Sequence, residues 1–271
     1  MKTTRTIDRR PRLLYRWLYP AWAAVFSFSP VFAVPYAKAD MDIFDLIFQG
    51  VRIIQLSNLA DEQEIALGQQ INQQILQDVK VFDGSSITQY IDGIGQQLVP
   101  GTDRAQIPYP FQVVDDDQVD AFATVGGFVY LNTGLLRAAD NEAQRASVIA
   151  HEIAHVDLRY AIQQLQQAAI AQGTLTAGGL DHNTAISLGV ELALHHPNSR
   201  THKLEADEVG LVLLTQAGYA PIAAVDFLQK LLDQPNTFPD FLSTHPHPEA
   251  EARINALNEQ LDPAMASTGW G

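Results

Sequence analysis

Cysteine is absent from the 271 residues, so no disulfide braces the fold and no thiolate can act as nucleophile or metal ligand. Acylation on cysteine, the lipoprotein route to a membrane, is excluded with it. Basic residues are scarce, 17 Lys and Arg against 31 Asp and Glu, for a net charge of −14. They are also unevenly placed. The first 39 residues hold seven of the basic residues and one of the acidic ones, so residues 40–271 carry 10 against 30, a net charge of −20. Such a surface repels phosphate backbones and anionic headgroups, which argues against nucleic acid as a partner. After residue 40 no apolar run is long enough to span a bilayer, and there is no internal repeat or linker. A single domain over residues 40–271 is the expectation.

The basic residues that do exist mark the N-terminus. Lys2, Arg5, Arg9, Arg10, Arg12 and Arg16 precede an apolar stretch from Trp17 to Val34, and Ala37-Lys38-Ala39 follows. Basic, apolar, then small-x-small is the pattern of a secretory signal peptide over residues 1–39, cleaved before Asp40. An uncleaved anchor is the alternative, and Pro20 and Pro30 argue against a stable spanning helix. The chain is therefore expected in an exported, extracytoplasmic compartment such as the periplasm, touching the membrane only during export.

Helical spacing of apolar residues dominates the rest. Asn58–Val79 and Ser85–Val99 carry Ile and Leu at helical intervals. Between Pro110 and Gly134 the texture changes to short β-prone runs, FQVVDD and DAFATVGGFVYLNTG, read as a small antiparallel sheet with a turn at Gly126-Gly127. The Asp115–Asp117 triplet lacks calcium-loop spacing and reads as a solvated turn. A long helix is expected from Asn141 to near Ala171. Further helices follow over 183–195, 199–217, 221–233 and 249–260. The fold class is mainly α, with a small sheet beside one central helix.

That helix contains VIAHEIAHVDL. His151 and His155, four residues apart, project from one helical face, and Glu152 follows the first. The arrangement suits two zinc ligands with a glutamate placed to activate bound water, the chemistry of metal-assisted amide hydrolysis. The flanking Val148, Ile149, Ile153, Ala154 and Val156 are apolar, so a buried His pair with a glutamate requires a chemical reason. A third ligand must come from elsewhere.

Four ordered blocks carry a resemblance: DAFATVGGFVYLNTGLL, NEAQRASVIAHEIAHV, SRTHKLEADEVGL with AGYAP, and FLSTHPHPEAEARI. They resemble the zinc metallopeptidase family of the CAAX prenyl protease, HtpX and BepA type, over about residues 60–257. The resemblance implies a zincin-like fold, a Zn(2+) cofactor, polypeptide substrates among exported or misfolded proteins, and a stand-alone member without helical repeats. It further implies His151 and His155 as ligands, Glu152 as general base, and Asp207 as the carboxylate orienting a zinc-bound histidine. The strand near Phe128–Asn132 would line the cleft and pair with substrate backbone.

One departure matters. The family's third ligand is a glutamate four residues before the aspartate corresponding to Asp207, and that place holds Lys203. An ammonium has no lone pair for a metal. His245, in the Thr-His-Pro piece, could complete a three-histidine site. His202 stands about 100° from Lys203 around the helix, and Glu205 about 160°, so Glu205 points away. Lys203 and Asp207, spaced i,i+4, could instead form an ion pair that fills the site without metal. A peptide-binding module that no longer cuts is then the rival to the enzyme.

Overall fold

The computed structural model describes residues 53–195, 199–234, 237 and 247–261. The expected signal peptide and His245 lie outside those residues. Nine α-helices are formed among them: α1 Asp61–Asp78, α2 Ser85–Leu98, α3 Thr133–Ala138, α4 Glu142–Asp157, α5 Tyr160–Ala171, α6 His182–His195, α7 Arg200–Gln216, α8 Ile222–Asp233 and α9 His247–Leu261. Strands β1 Ile53–Ile54 and β5 Leu180–Asp181 pair antiparallel as a small clip. The main sheet has three strands, β2 Phe111–Val114, β3 Ala121–Ala123 and β4 Val129–Asn132, in the order β2-β4-β3. No described helix is long and apolar enough to cross a membrane.

The sheet is mixed. β3 and β4 pair antiparallel through the expected glycine turn, where Gly126 and Gly127 take φ of 80° and 90° at no steric penalty. β2 pairs parallel to β4 on its other side, in register Phe111 with Val129 through Val114 with Asn132. Local alternation sets the strands but not their order, so the parallel pairing was not readable from it. It also corrects the expected substrate strand. β4 has both edges occupied and is buried along its whole length, so it offers no backbone to a peptide. The edge strand beside α4 is β3.

Side chains of β4 alternate between two cores. Val129 and Leu131 join Phe111, Val113, Ile149 and Ile153 on one side. Tyr130 joins Leu67, Ile71, Phe122 and Leu165 on the other, stacked on Phe122 with centroids 4.5 Å apart. α4 runs through the middle, with Ile149, Ala150, Ile153 and Ala154 fully buried. Burial on nearly all sides explains its weak amphipathic pattern and makes it a rigid carrier for whatever it presents.

The single helix expected over 141–171 is two. Arg159 adopts the left-handed region (φ 57°, ψ 31°) between α4 and α5. For a non-glycine residue this costs about 1–2 kcal/mol, offset here by contacts of its guanidinium with the Leu59 carbonyl at 2.9 Å and the Glu64 carboxylate at 2.8 Å. Neither glycine nor proline marks the break, so nothing local announced it. Its consequence is positional: the bend turns Tyr160 against the end of α4.

Candidate metal centre

The start of α4 is fixed by its own cap. The Asn141 side chain accepts the Gln144 N–H at 3.0 Å, and the Gln144 side chain accepts the Asp140 N–H at 2.7 Å. From that start, His151 and His155 fall one turn apart on one face. Their Nε2 atoms meet at 3.1 Å, with the rings nearly perpendicular. With Glu152 they form a group whose ligand atoms all lie within 4.8 Å, the only such cluster among the described residues.

α7 approaches this turn closely. A Cβ at Gly210 would stand 3.1 Å from the His151 backbone nitrogen, so the absence of a side chain there brings the helices together. One turn earlier on α7, Asp207 places Oδ1 2.8 Å from His151 Nδ1. Arg253, arriving from α9, grips the same carboxylate with Nε to Oδ2 at 2.7 Å and Nη2 to Oδ1 at 2.8 Å. Burial alone would raise the Asp207 carboxyl; Arg253 and His151 outweigh it and hold it below the usual carboxylate range. An ionised Asp207 makes His151 Nδ1 the protonated nitrogen and leaves the Nε2 lone pair bare, aimed at His155.

His155 is held differently. Its Nδ1 is buried and has no hydrogen-bond partner. Tyr160 packs edge-on against its ring at 5.5 Å and is itself stacked on His202 at 4.0 Å. Burial lowers His151 below the ordinary imidazole value, partly offset by Asp207, and lowers His155 much further, with His151 adding to the effect. Burial, reinforced by the charge of Asp120, raises Glu152 well above a normal carboxyl, opposed by Arg253 and by the Ala123 N–H that it accepts. Two neutral imidazoles with converging Nε2 atoms suit a cation, and two ligands on one tetrahedral zinc would stand about 3.3 Å apart. The 3.1 Å pair fits.

The third place does not fit. Lys203 is 7% exposed and lines the same cavity as the histidines. Its Nζ is 2.8 Å from Glu249 Oε1 on α9. The expected partner, Asp207, is instead committed to Arg253 and His151. Glu205 accepts a hydrogen bond from the Tyr160 hydroxyl, outside the His-Glu-His group, and His202 lies against Tyr160. Sequence reasoning overlooked Arg253, Glu249 and Tyr160. The first two carried a faint signal: Glu249 and Arg253 repeat, with reversed charge, the four-residue spacing of Lys203 and Asp207.

The cluster opens on a cavity of about 90 Å³, whose apolar wall includes Leu135, Val148, Phe227, Leu228 and Leu231. The space is concave, largely apolar and flanked by buried ionisable groups, which is the character of a ligand site.

Comparison with known proteins agrees with this architecture. The sequence profile of peptidase family M48 matches residues 85–261. A beta-barrel assembly-enhancing protease of Yersinia pestis is 32% identical over 237 residues, covering 79% of this chain and 48% of its own length. The protein of that name from Escherichia coli (strain K12) is 31% identical over 238 residues, covering 78% and 47%. The mitochondrial metalloendopeptidase OMA1 of Schizosaccharomyces pombe is 28% identical over 184 residues, covering 66% and 54%. The chain thus spans about half the length of the curated relatives it matches.

Proposed function

The chain belongs to peptidase family M48, and from that premise we propose that it is a zinc-dependent metalloendopeptidase cutting exported or misfolded polypeptides. His151 and His155 hold the metal, with His245, outside the described residues, as third ligand, and Glu152 is the general base. The observation that carries the reading is the convergence of the two Nε2 atoms beside Glu152 in the lining of a cavity. Bound zinc would polarise the scissile carbonyl and lower the pKa of its water.

The protein's own groups supply the rest. Asp207, clamped by Arg253, fixes the tautomer and orientation of His151. Glu152, raised by burial, has a basicity closer to neutral pH than an exposed carboxylate and is the better proton carrier for it. β3, the edge strand whose Ala123 N–H holds Glu152, offers backbone to an extended peptide. The apolar cavity wall takes a side chain. The basic, apolar, small-x-small start over residues 1–39 supports export, with residues 40–271 as the peptidase domain.

A second reading has its own observation: Lys203, buried and paired with Glu249, favours a quality-control module that holds peptide without cutting it. One experiment separates them. The protein expressed from its full chain is incubated with an unfolded polypeptide, beside Glu152→Gln, with and without a chelator. Cleavage lost in both controls supports the enzyme; binding of the polypeptide with no cleavage supports the module.

A further inference from the structure

Two charged rungs join α7 to α9. Asp207 meets Arg253, and one turn earlier on both helices Lys203 meets Glu249. Their polarity is opposite. The first rung puts its carboxylate on α7, where it can hold His151; the second puts an ammonium there and its carboxylate on α9. Lys203 shares the cavity lining with His151, Glu152 and His155, and its charge acts on His151. An ammonium donates three hydrogen bonds and accepts none, so from this side the histidine pair receives a positive charge and no lone pair. Nor can the head leave easily. With its side chain 9% exposed and Nζ seated on Glu249, departure would strand both charges in a poorly hydrated place.

We propose that the Lys203–Glu249 pair is a metal lock, occupying one side of the histidine pair with a tethered cation and keeping metal there weakly held and exchangeable. The proposal rests on the reading of His151 and His155 as metal-binding. The lock makes predictions of opposite sign that a merely structural ion pair does not. Lys203→Met removes the cation while keeping an apolar stem of similar length, and metal is held more tightly. Glu249→Gln frees the ammonium from its counter-charge, and metal is held more weakly. Lys203→Glu replaces the cation with an oxygen donor. Lys203→Glu combined with Glu249→Lys reverses the rung, so the helices stay paired while the carboxylate moves to α7.

The test is zinc affinity of the metal-stripped full chain, by competition with a chromophoric chelator, with circular dichroism confirming the fold of each variant. The reversed pair and Lys203→Glu should bind on the order of tenfold or more tightly than the unaltered chain. Lys203→Met should lie between, and Glu249→Gln below the unaltered chain. Equal affinities for the unaltered chain, Lys203→Met and Glu249→Gln would overturn the lock and leave the histidine reading standing. If none of the folded variants, the reversed pair included, binds one zinc saturably, the histidine reading fails and the lock with it.

Discussion

Arg104 and Arg253 are both buried guanidiniums that grip buried carboxylates, yet they sit in regions with different prospects. Arg104 binds both oxygens of Glu64, at 3.1 and 2.9 Å, together with Asp61 and the Val156 carbonyl. Glu64 is held again by Arg159. Donors and acceptors there answer one another, and the cluster ties the start of α1 to the end of α4. Arg253 holds Asp207 just as firmly, but Asp207 passes its charge on to His151, whose other nitrogen faces the cavity. Buried charge is therefore no mark of chemistry by itself. What distinguishes the second region is a chain of contacts that ends on a lone pair in a concave space.

The largest expected effect breaks each cluster at its arginine. Arg253→Met strands Asp207 as a buried, half-paired carboxylate and should cost about 3–5 kcal/mol of stability. It should weaken zinc binding as well. Arg104→Met should cost less, about 1.5–3 kcal/mol, because Arg159 remains on Glu64, with zinc affinity unchanged. Urea unfolding and chelator competition on both variants check this. Equal losses of metal affinity would erase the distinction between the regions. Asp207→Asn narrows the point further: zinc affinity should fall about 10–100-fold, whereas Asp61→Asn should leave it alone.

How much of this was legible follows the range of the interactions. The grouping of His151, Glu152 and His155 was readable because it lies within little more than one helical turn, and the shared face of Lys203 and Asp207 because 3.6-residue periodicity is local. The roles of Arg253 and Glu249 were not, since each partner is 46 residues away in sequence and nothing on α9 names its target. The local rule in fact pointed wrongly, to Lys203 with Asp207. The break at Arg159 and the parallel seat of β2 escaped for the same reason: distant contacts decide them.

Titration offers a smaller contrast. In metal-stripped protein, burial holds His151 and His155 below the ordinary imidazole range, more strongly for His155. Their folded values lie under the unfolded value of about 6.5, so below that pH the unfolded chain binds more protons and stability falls with falling pH. Glu152 acts with the opposite sign. Raised in the fold, it removes stability as pH climbs from the unfolded carboxyl value of about 4.3 through its folded value. A Glu152→Gln background removes that contribution. In it, thermal melts should lose stability progressively below about pH 6.5, and changing both histidines to Gln should shrink the limb to the part that His182, also lowered by burial, contributes. Asp207 and Asp61, both lowered in the fold, contribute stability that is lost only as pH drops below about 3.9. The Arg104 region thus has no limb near neutrality.

The contrast recurs inside the histidine pair at the smallest scale. His151 is oriented by a charged acceptor, whereas His155 has no partner on Nδ1 and is held by the Tyr160 ring. Tyr160→Phe removes the hydroxyl that donates to Glu205 but keeps the ring, its edge contact with His155 and a stacking surface for His202. It should cost roughly 0.5–1.5 kcal/mol, the net value of one hydrogen bond, with zinc affinity unchanged. Tyr160→Ala removes the ring and should weaken zinc binding, because the His155 imidazole then keeps only its contact with His151. If Tyr160→Phe weakens zinc as much as Tyr160→Ala does, the hydroxyl and its Glu205 partner position His155, and both histidines are set by hydrogen-bonded carboxylates after all.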